Sequence, residues 1–138
     1  GLDDLPQVLA EGTDAVFAAI AAAGVNLDGP PFVEYHERAT EGYAARITVC
    51  APVDGVLRPP TGFRLSTDAA HAEAFVEVDA AGARDQERLA LVHDYLSSGV
   101  GLNGTHVPVG DNREVYLPSW GTGEQGPVME VAVPVTAL

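Results

Sequence analysis

The chain has 138 residues, 46% of them hydrophobic, which is enough for one core and short for two, so a single globular domain over residues 1 to 138 is expected. Its 20 acidic residues stand against 7 basic ones, every one of them arginine, and the formal net charge of −13 repels phosphate backbones while drawing in small cations. Direct nucleic-acid binding by this segment is therefore not expected, and neither is a membrane span, because no apolar run approaches the ~20 residues needed to cross a bilayer.

The lone cysteine, Cys50 in "ITVCAPV", has no intramolecular partner and reads as an inert thiol in a reducing compartment. No secretory signal is visible and the sequence opens with Gly1, so a cleaved chain or an excised domain of a cytoplasmic protein is expected, with a mature secreted chain as the alternative.

"LDDLPQVLAEGTDAVFAAIAAAGV" carries Leu5, Val8, Leu9, Val16, Phe17 and Ile20 at helical spacings and stops at Gly24. Gly12 and Thr13 are expected to break it into a short helix and a longer one, with Thr13 as N-cap. After the turn "NLDGPP", the segments "FVEYHER" and "YAARITVCAPV" read as a hairpin, and "DGVLRPPTG" as irregular.

Residues 71 to 80, "HAEAFVEVDA", alternate with His71, Glu73, Glu77 and Asp79 outward and Ala72, Ala74, Val76 and Val78 inward. "RDQERLALVHDYLSSGV" reads as a helix with Leu89, Leu91, Val92, Tyr95 and Leu96 on its apolar stripe. Tyr95 is then expected in the core and His93 in solvent. "GLNGTHVPVGDN" reads as loop, and "REVYLPSW" and "PVMEVAVPV" as strands joined by the turn "GTGEQG".

An internal repeat emerges from this order. "FVEYHERATEGYAARITVCAPV" aligns with "EVYLPSWGTGEQGPVMEVAVPV" on Tyr35 with Tyr116 and, with one residue of slack, on Pro52 with Pro134. A helix ending Gly-Val precedes each copy, at Gly24-Val25 and Gly99-Val100. The second copy also has a strand before its helix, so the first strand of the first copy is expected upstream of residue 1. The expected fold is α+β: two pseudo-symmetric strand-helix-strand-strand repeats, residues 1 to about 57 and about 63 to 138, forming one antiparallel sheet. Two helices would cover one face and a ligand cleft would form on the other.

In that order, "GPPFVEYH", "ITVCAPV", "REVYLPSW" and "MEVAVPV" resemble the GyrI-like domain, the effector-binding domain of bacterial multidrug-responsive transcription regulators. The resemblance covers nearly the whole chain. It implies a cleft for amphipathic, often cationic, aromatic compounds, with Glu114 as the acidic residue reaching into it. It also implies fusion behind a MerR-type or AraC-type DNA-binding domain, or a stand-alone toxin-binding protein, or a branch that hydrolyses cyclopropane-containing genotoxins with the same acidic residue. The segment "VEVDAAGA" departs from the family's His-Gly-Pro-Tyr-like pattern at the end of the strand before the second helix.

Strand alternation places Glu114 and Tyr116 on one face and Arg113, Val115 and Leu117 on the other. Through the repeat, Val33 and Tyr35 join Glu114 and Tyr116 at the cleft, with Trp120 at its rim. The expected ligand-binding set is Glu114, Tyr116, Tyr35, Trp120 and Val33. Against it stands a Glu114 paired with Arg46 or Arg113, or simply solvated.

No nucleophile elbow or phosphate loop is visible, so no cofactor and no catalytic residue are expected; the alternative is Glu114 in a paired-carboxylate mechanism, with Glu130 or Glu73 as the second acid across the cleft. His36, His71, His93 and His106 are scattered, and no metal site is expected. The reading is a binding module of a bacterial regulator, more than an enzyme, whose partners are a small molecule and, through an absent DNA-binding domain, a second copy. The alternative is a stand-alone hydrolase or sequestering protein with Glu114 as acid or base.

Overall fold

A computed structural model of the chain describes residues 5–37, 46–55 and 58–138. The first helix, α1 (Leu5–Ala23), runs through Gly12 and Thr13 without a break. The expected N-cap is not formed, because the Thr13 hydroxyl donates to the Leu9 carbonyl at 2.7 Å and so is satisfied inside the helix. Gly12 is where α1 meets the sheet: a Cβ there would stand 3.0 Å from Val49 Cγ2. Gly24, at φ 71°, ends the helix in the left-handed conformation that glycine adopts without penalty.

The turn expected at "NLDGPP" contributes a two-residue strand, β1 (Asn26–Leu27), which pairs with β4 (Val53–Asp54). Between them lie β2 (Phe32–Tyr35) and β3 (Ile47–Cys50), antiparallel as expected of the hairpin. The expected opening of its second strand at residues 43–45 lies outside the described residues. Next come β5 (Ala72–Asp79), the single-turn α2 (Ala80–Ala83), α3 (Gln86–Ser98), β6 (His106–Pro108), β7 (Asn112–Tyr116) and β8 (Pro127–Ala137). The segment read as loop, "GLNGTHVPVGDN", thus contains β6, which pairs with the end of β8, and a 3-10 turn at Val100–Leu102.

The large sheet has the order β3-β2-β7-β8-β5, with β6 also on β8. All its ladders are antiparallel, so the architecture is α+β with helices on an antiparallel sheet. Residues paired across it share a face, and Val49, Val33, Glu114, Val131 and Val76 form one such row. This is the helix-bearing face, since α1 touches Val49 and α3 packs Leu89 and Leu96 on Val78, Met129, Val131, Val133 and Val135. Removing these aliphatic side chains from water is the main stabilisation of this half.

Asp85 caps α3, its carboxylate accepting from Arg88 N at 3.1 Å, and Gly99 at φ 71° closes the helix. The expected stripe on α3 is corrected by the structure. Leu89, His93 and Leu96 are buried, whereas Tyr95 is 51% and Leu91 69% exposed. The inward positions are i, i+4 and i+7 from Leu89, and the imidazole takes one of them. Among the described residues no helix is long and apolar enough to cross a membrane.

Candidate functional site

β7 is the central strand next to β2, and the register sets Val33 opposite Glu114 and Tyr35 opposite Asn112. Val33, Tyr35, Glu114 and Tyr116 do share one face, as alternation requires. That face is not the open one on which the cleft was expected: it lies under α3. Val33, only 1% exposed, is a core side chain there rather than a wall of an open cleft.

Glu114 is 6% exposed, and three neighbours converge on its carboxylate. Oε1 accepts from the Tyr35 hydroxyl at 2.9 Å and the Tyr116 hydroxyl at 3.0 Å, and Oε2 lies 2.9 Å from His93 Nε2. Burial, then the Glu114 charge, pushes both phenols far above their ordinary pKa, so they keep their protons and act as donors.

A hydrogen-bond chain fixes the tautomer of His93. Ser97 Oγ donates to Asn112 Oδ1 at 3.2 Å, and Asn112 Nδ2 faces both the His93 carbonyl and His93 Nδ1 at 3.1 Å. The amide therefore presents its NH₂ to Nδ1, which accepts, and Nε2 carries the proton given to Glu114. The imidazole is neutral in this arrangement. Its ring also meets Tyr35 edge-on, with centroids 5.1 Å apart.

Trp120 follows β7 in a turn closed by its own N–H on the Leu117 carbonyl. It is 46% exposed and packs edge-to-face on Tyr116 at 4.7 Å. Tyr116 thus links the buried carboxylate to an aromatic side chain at the surface. His93 and Asn112 complete the cluster and were missed in the sequence; the spacing of His93 from Leu89 and Leu96 was the available signal.

The expected alternative, a Glu114–arginine pair, is not found. Arg46 binds Glu37 at 3.0 Å, and Arg113 points to the opposite face. There its guanidinium lies 3.0 Å from Asp68, 3.7 Å from Glu73 and 3.9 Å from Glu34, over the Phe32 ring at 4.6 Å. The Arg113 hydrogen bond holds Asp68 below the usual carboxylate range. Cys50 is on this face too, its thiol pushed up to about 11 by burial and the nearby Glu34 charge, so it stays protonated and unreactive.

Three potential metal ligands also meet on the open face. Glu34, His36 and Asp111 each offer one donor atom within 4.8 Å of the others. Elsewhere, a cleft of about 280 Å³ runs between β5 and α3, lined by Val76, Val78, Gly82, Leu89, Val92 and Pro127 among others; it does not reach Glu114. Comparison with protein-family models, curated proteins and solved structures gives no match for this chain.

Chemically, the Glu114 cluster offers a desolvated anion held by neutral donors and flanked by aromatic rings. Such a group can act as counter-charge to a cation, or exchange a proton with a bound electrophile.

Proposed function

We propose that this chain is a small-molecule-binding domain for amphipathic cationic or aromatic compounds, the ligand-sensing part of a cytoplasmic bacterial regulator of the GyrI-like kind. The observation that carries the reading is that Glu114 is buried while its hydrogen bonds come from two phenols and a neutral imidazole. A carboxylate taken out of water without a cation is electrostatically uncompensated, and a ligand cation would supply the missing charge. Tyr35 and Tyr116 provide rings for that cation, and Trp120 the surface aromatic that a ligand meets first.

Support for a twofold-repeat architecture comes from the central β2–β7 pair, where Val33 and Glu114, equivalent in the sequence repeat, lie directly opposite. Helices α1 and α3 both end at glycines with φ 71°. In the regulator, ligand uptake shifts a two-state equilibrium in an attached DNA-binding domain that dimerises.

Titration with tetraphenylphosphonium, followed by the fluorescence of the sole tryptophan, tests this. Glu114→Gln is expected to weaken binding tenfold or more with unchanged circular dichroism; equal affinities overturn the counter-charge role.

The His93–Glu114 contact supports a second reading, a hydrolase in which Glu114 gives or takes a proton and His93 orients it. Turnover of a cyclopropane-bearing electrophile beyond one equivalent would favour it, and a single equivalent would count against it.

A further inference from the structure

We propose that Glu34, His36 and Asp111 form a binding site for a divalent first-row transition ion on the sheet face away from the helices. The placement follows from two registers. Along β2, alternation puts Glu34 and His36 on the same side, opposite to Tyr35. Across the sheet, the Tyr35–Asn112 pairing brings Asp111, one residue before Asn112, beside His36.

His36 Nδ1 lies 2.8 Å from Asp111 Oδ2, the separation of adjacent ligands in an octahedral set with bonds of about 2.0 Å and shorter than the ~3.3 Å of a tetrahedral one. The other ring nitrogen, Nε2, sits 2.6 Å from Thr48 Oγ1. Without an ion, Nδ1 donates its proton to Asp111; with an ion in place of that proton, Nε2 donates to the Thr48 hydroxyl and the Nδ1 lone pair faces the ion, which is how an outer partner orients a ligating imidazole. The backbone is held as well, His36 N donating to the Arg46 carbonyl at 3.0 Å.

Charge favours a cation here. Glu34 has Arg113 at 3.9 Å, but that guanidinium is nearer to Asp68 at 3.0 Å and Glu73 at 3.7 Å, so its charge is divided among three acids. The donor set is one imidazole and two carboxylates, suited to ions such as Zn²⁺ or Mn²⁺. The side chains of His36 and Glu34 are 27% exposed and that of Asp111 50%, leaving room for water in the remaining coordination positions. The ion would lie on the reverse side of the sheet from Glu114 and tie together the ends of β2 and β7, where Tyr35 and Asn112 pair.

Zn²⁺ is the probe, in competition with a chromophoric chelator at about pH 7.5, where imidazole and carboxylates are available as ligands. One equivalent should bind, with affinity reduced tenfold or more by Asp111→Asn and by His36→Gln. His71→Gln, which removes the separate His71–Glu73 pair on the same face, should leave the affinity unchanged. Absence of saturable binding below about 1 mM overturns the site, as does affinity untouched by the Asp111 and His36 substitutions. Because a variant that fails to fold would also lose the ion, the wild-type protein supplies a second readout. Substoichiometric Mn²⁺ should broaden the His36 ring resonances before those of His71, His93 and His106, and preferential broadening at any other histidine refutes the assignment.

Discussion

His93 Nε2 and Glu114 Oε2 lie 2.9 Å apart with both side chains nearly closed to solvent, and Asn112 Nδ2 stands 3.1 Å behind the same imidazole at Nδ1. The helix α3 and the strand β7 are therefore joined through a carboxylate, a neutral ring and an amide in series. Each partner has its donors and acceptors assigned by the next, so the tautomer can be measured. Nitrogen NMR of His93 at neutral pH is expected to show Nε2 protonated and Nδ1 bare. An Nδ1-protonated ring would mean that Asn112 presents its oxygen, and the chain from Ser97 to Glu114 would run the other way.

Tyr35 and Tyr116 donate to the same oxygen of Glu114 from neighbouring strands. Replacing either by Phe leaves the other donor in place and should cost about 1.5–3 kcal/mol, the range for a hydrogen bond to a charged group. Replacing both strips Oε1 of its phenol donors, so the double variant should lose more than the sum of the singles. Urea unfolding of the four proteins measures this, and additivity within about 0.5 kcal/mol would show that the two phenols do not share the acceptor energetically.

Much of this cluster was legible in the sequence, but its surroundings were not. Alternation in "REVY" correctly separated Glu114 and Tyr116 from Arg113, and Tyr35 joined them through the repeat. Which face the helices cover is decided by how α1 and α3 pack, and that is not encoded in a strand's own alternation. On α3 the inward stripe is Leu89, Val92, His93 and Leu96; the apolar pattern picked out Leu89, Val92 and Leu96 but added the apolar Leu91 and Tyr95, which are exposed, and left out the polar His93, which is buried. Strand β6 has three residues with a proline among glycine and asparagine neighbours, too short to show a period, and exists because the end of β8 offers it a ladder. The meeting of Glu34, His36 and Asp111 needed the β2–β7 register, which no single segment carries.

Gly24 and Gly99 end their helices at the same φ of 71° but in different surroundings. A Cβ on Gly24 would meet nothing within 4 Å, whereas one on Gly99 would lie 3.2 Å from Pro108 Cδ. Gly24→Ala is expected to cost about 1–2 kcal/mol, the left-handed penalty alone. Gly99→Ala should cost more, because β6 has to give way as well. Equal losses in thermal unfolding would show that Pro108 moves aside freely.

Glu130 sets a pH dependence whose direction follows from its place in the sheet. It pairs directly with Glu77 across β5 and β8. Burial, then the charges of Glu77 and Glu73, raises its pKa above the ordinary carboxylate value. A folded protein that holds this proton more tightly than the unfolded chain loses stability as pH rises from the unfolded pKa through the folded one. The repulsion is then fully present at neutral pH and absent in acid. Glu130→Gln should accordingly raise the melting temperature at pH 7, with the gain shrinking to nothing as pH falls below about 4, the ordinary glutamate range. Melting curves of wild type and variant between those limits test the sign: a variant destabilised at neutral pH would mean that Glu130 is held there by a favourable contact rather than against its acidic neighbours.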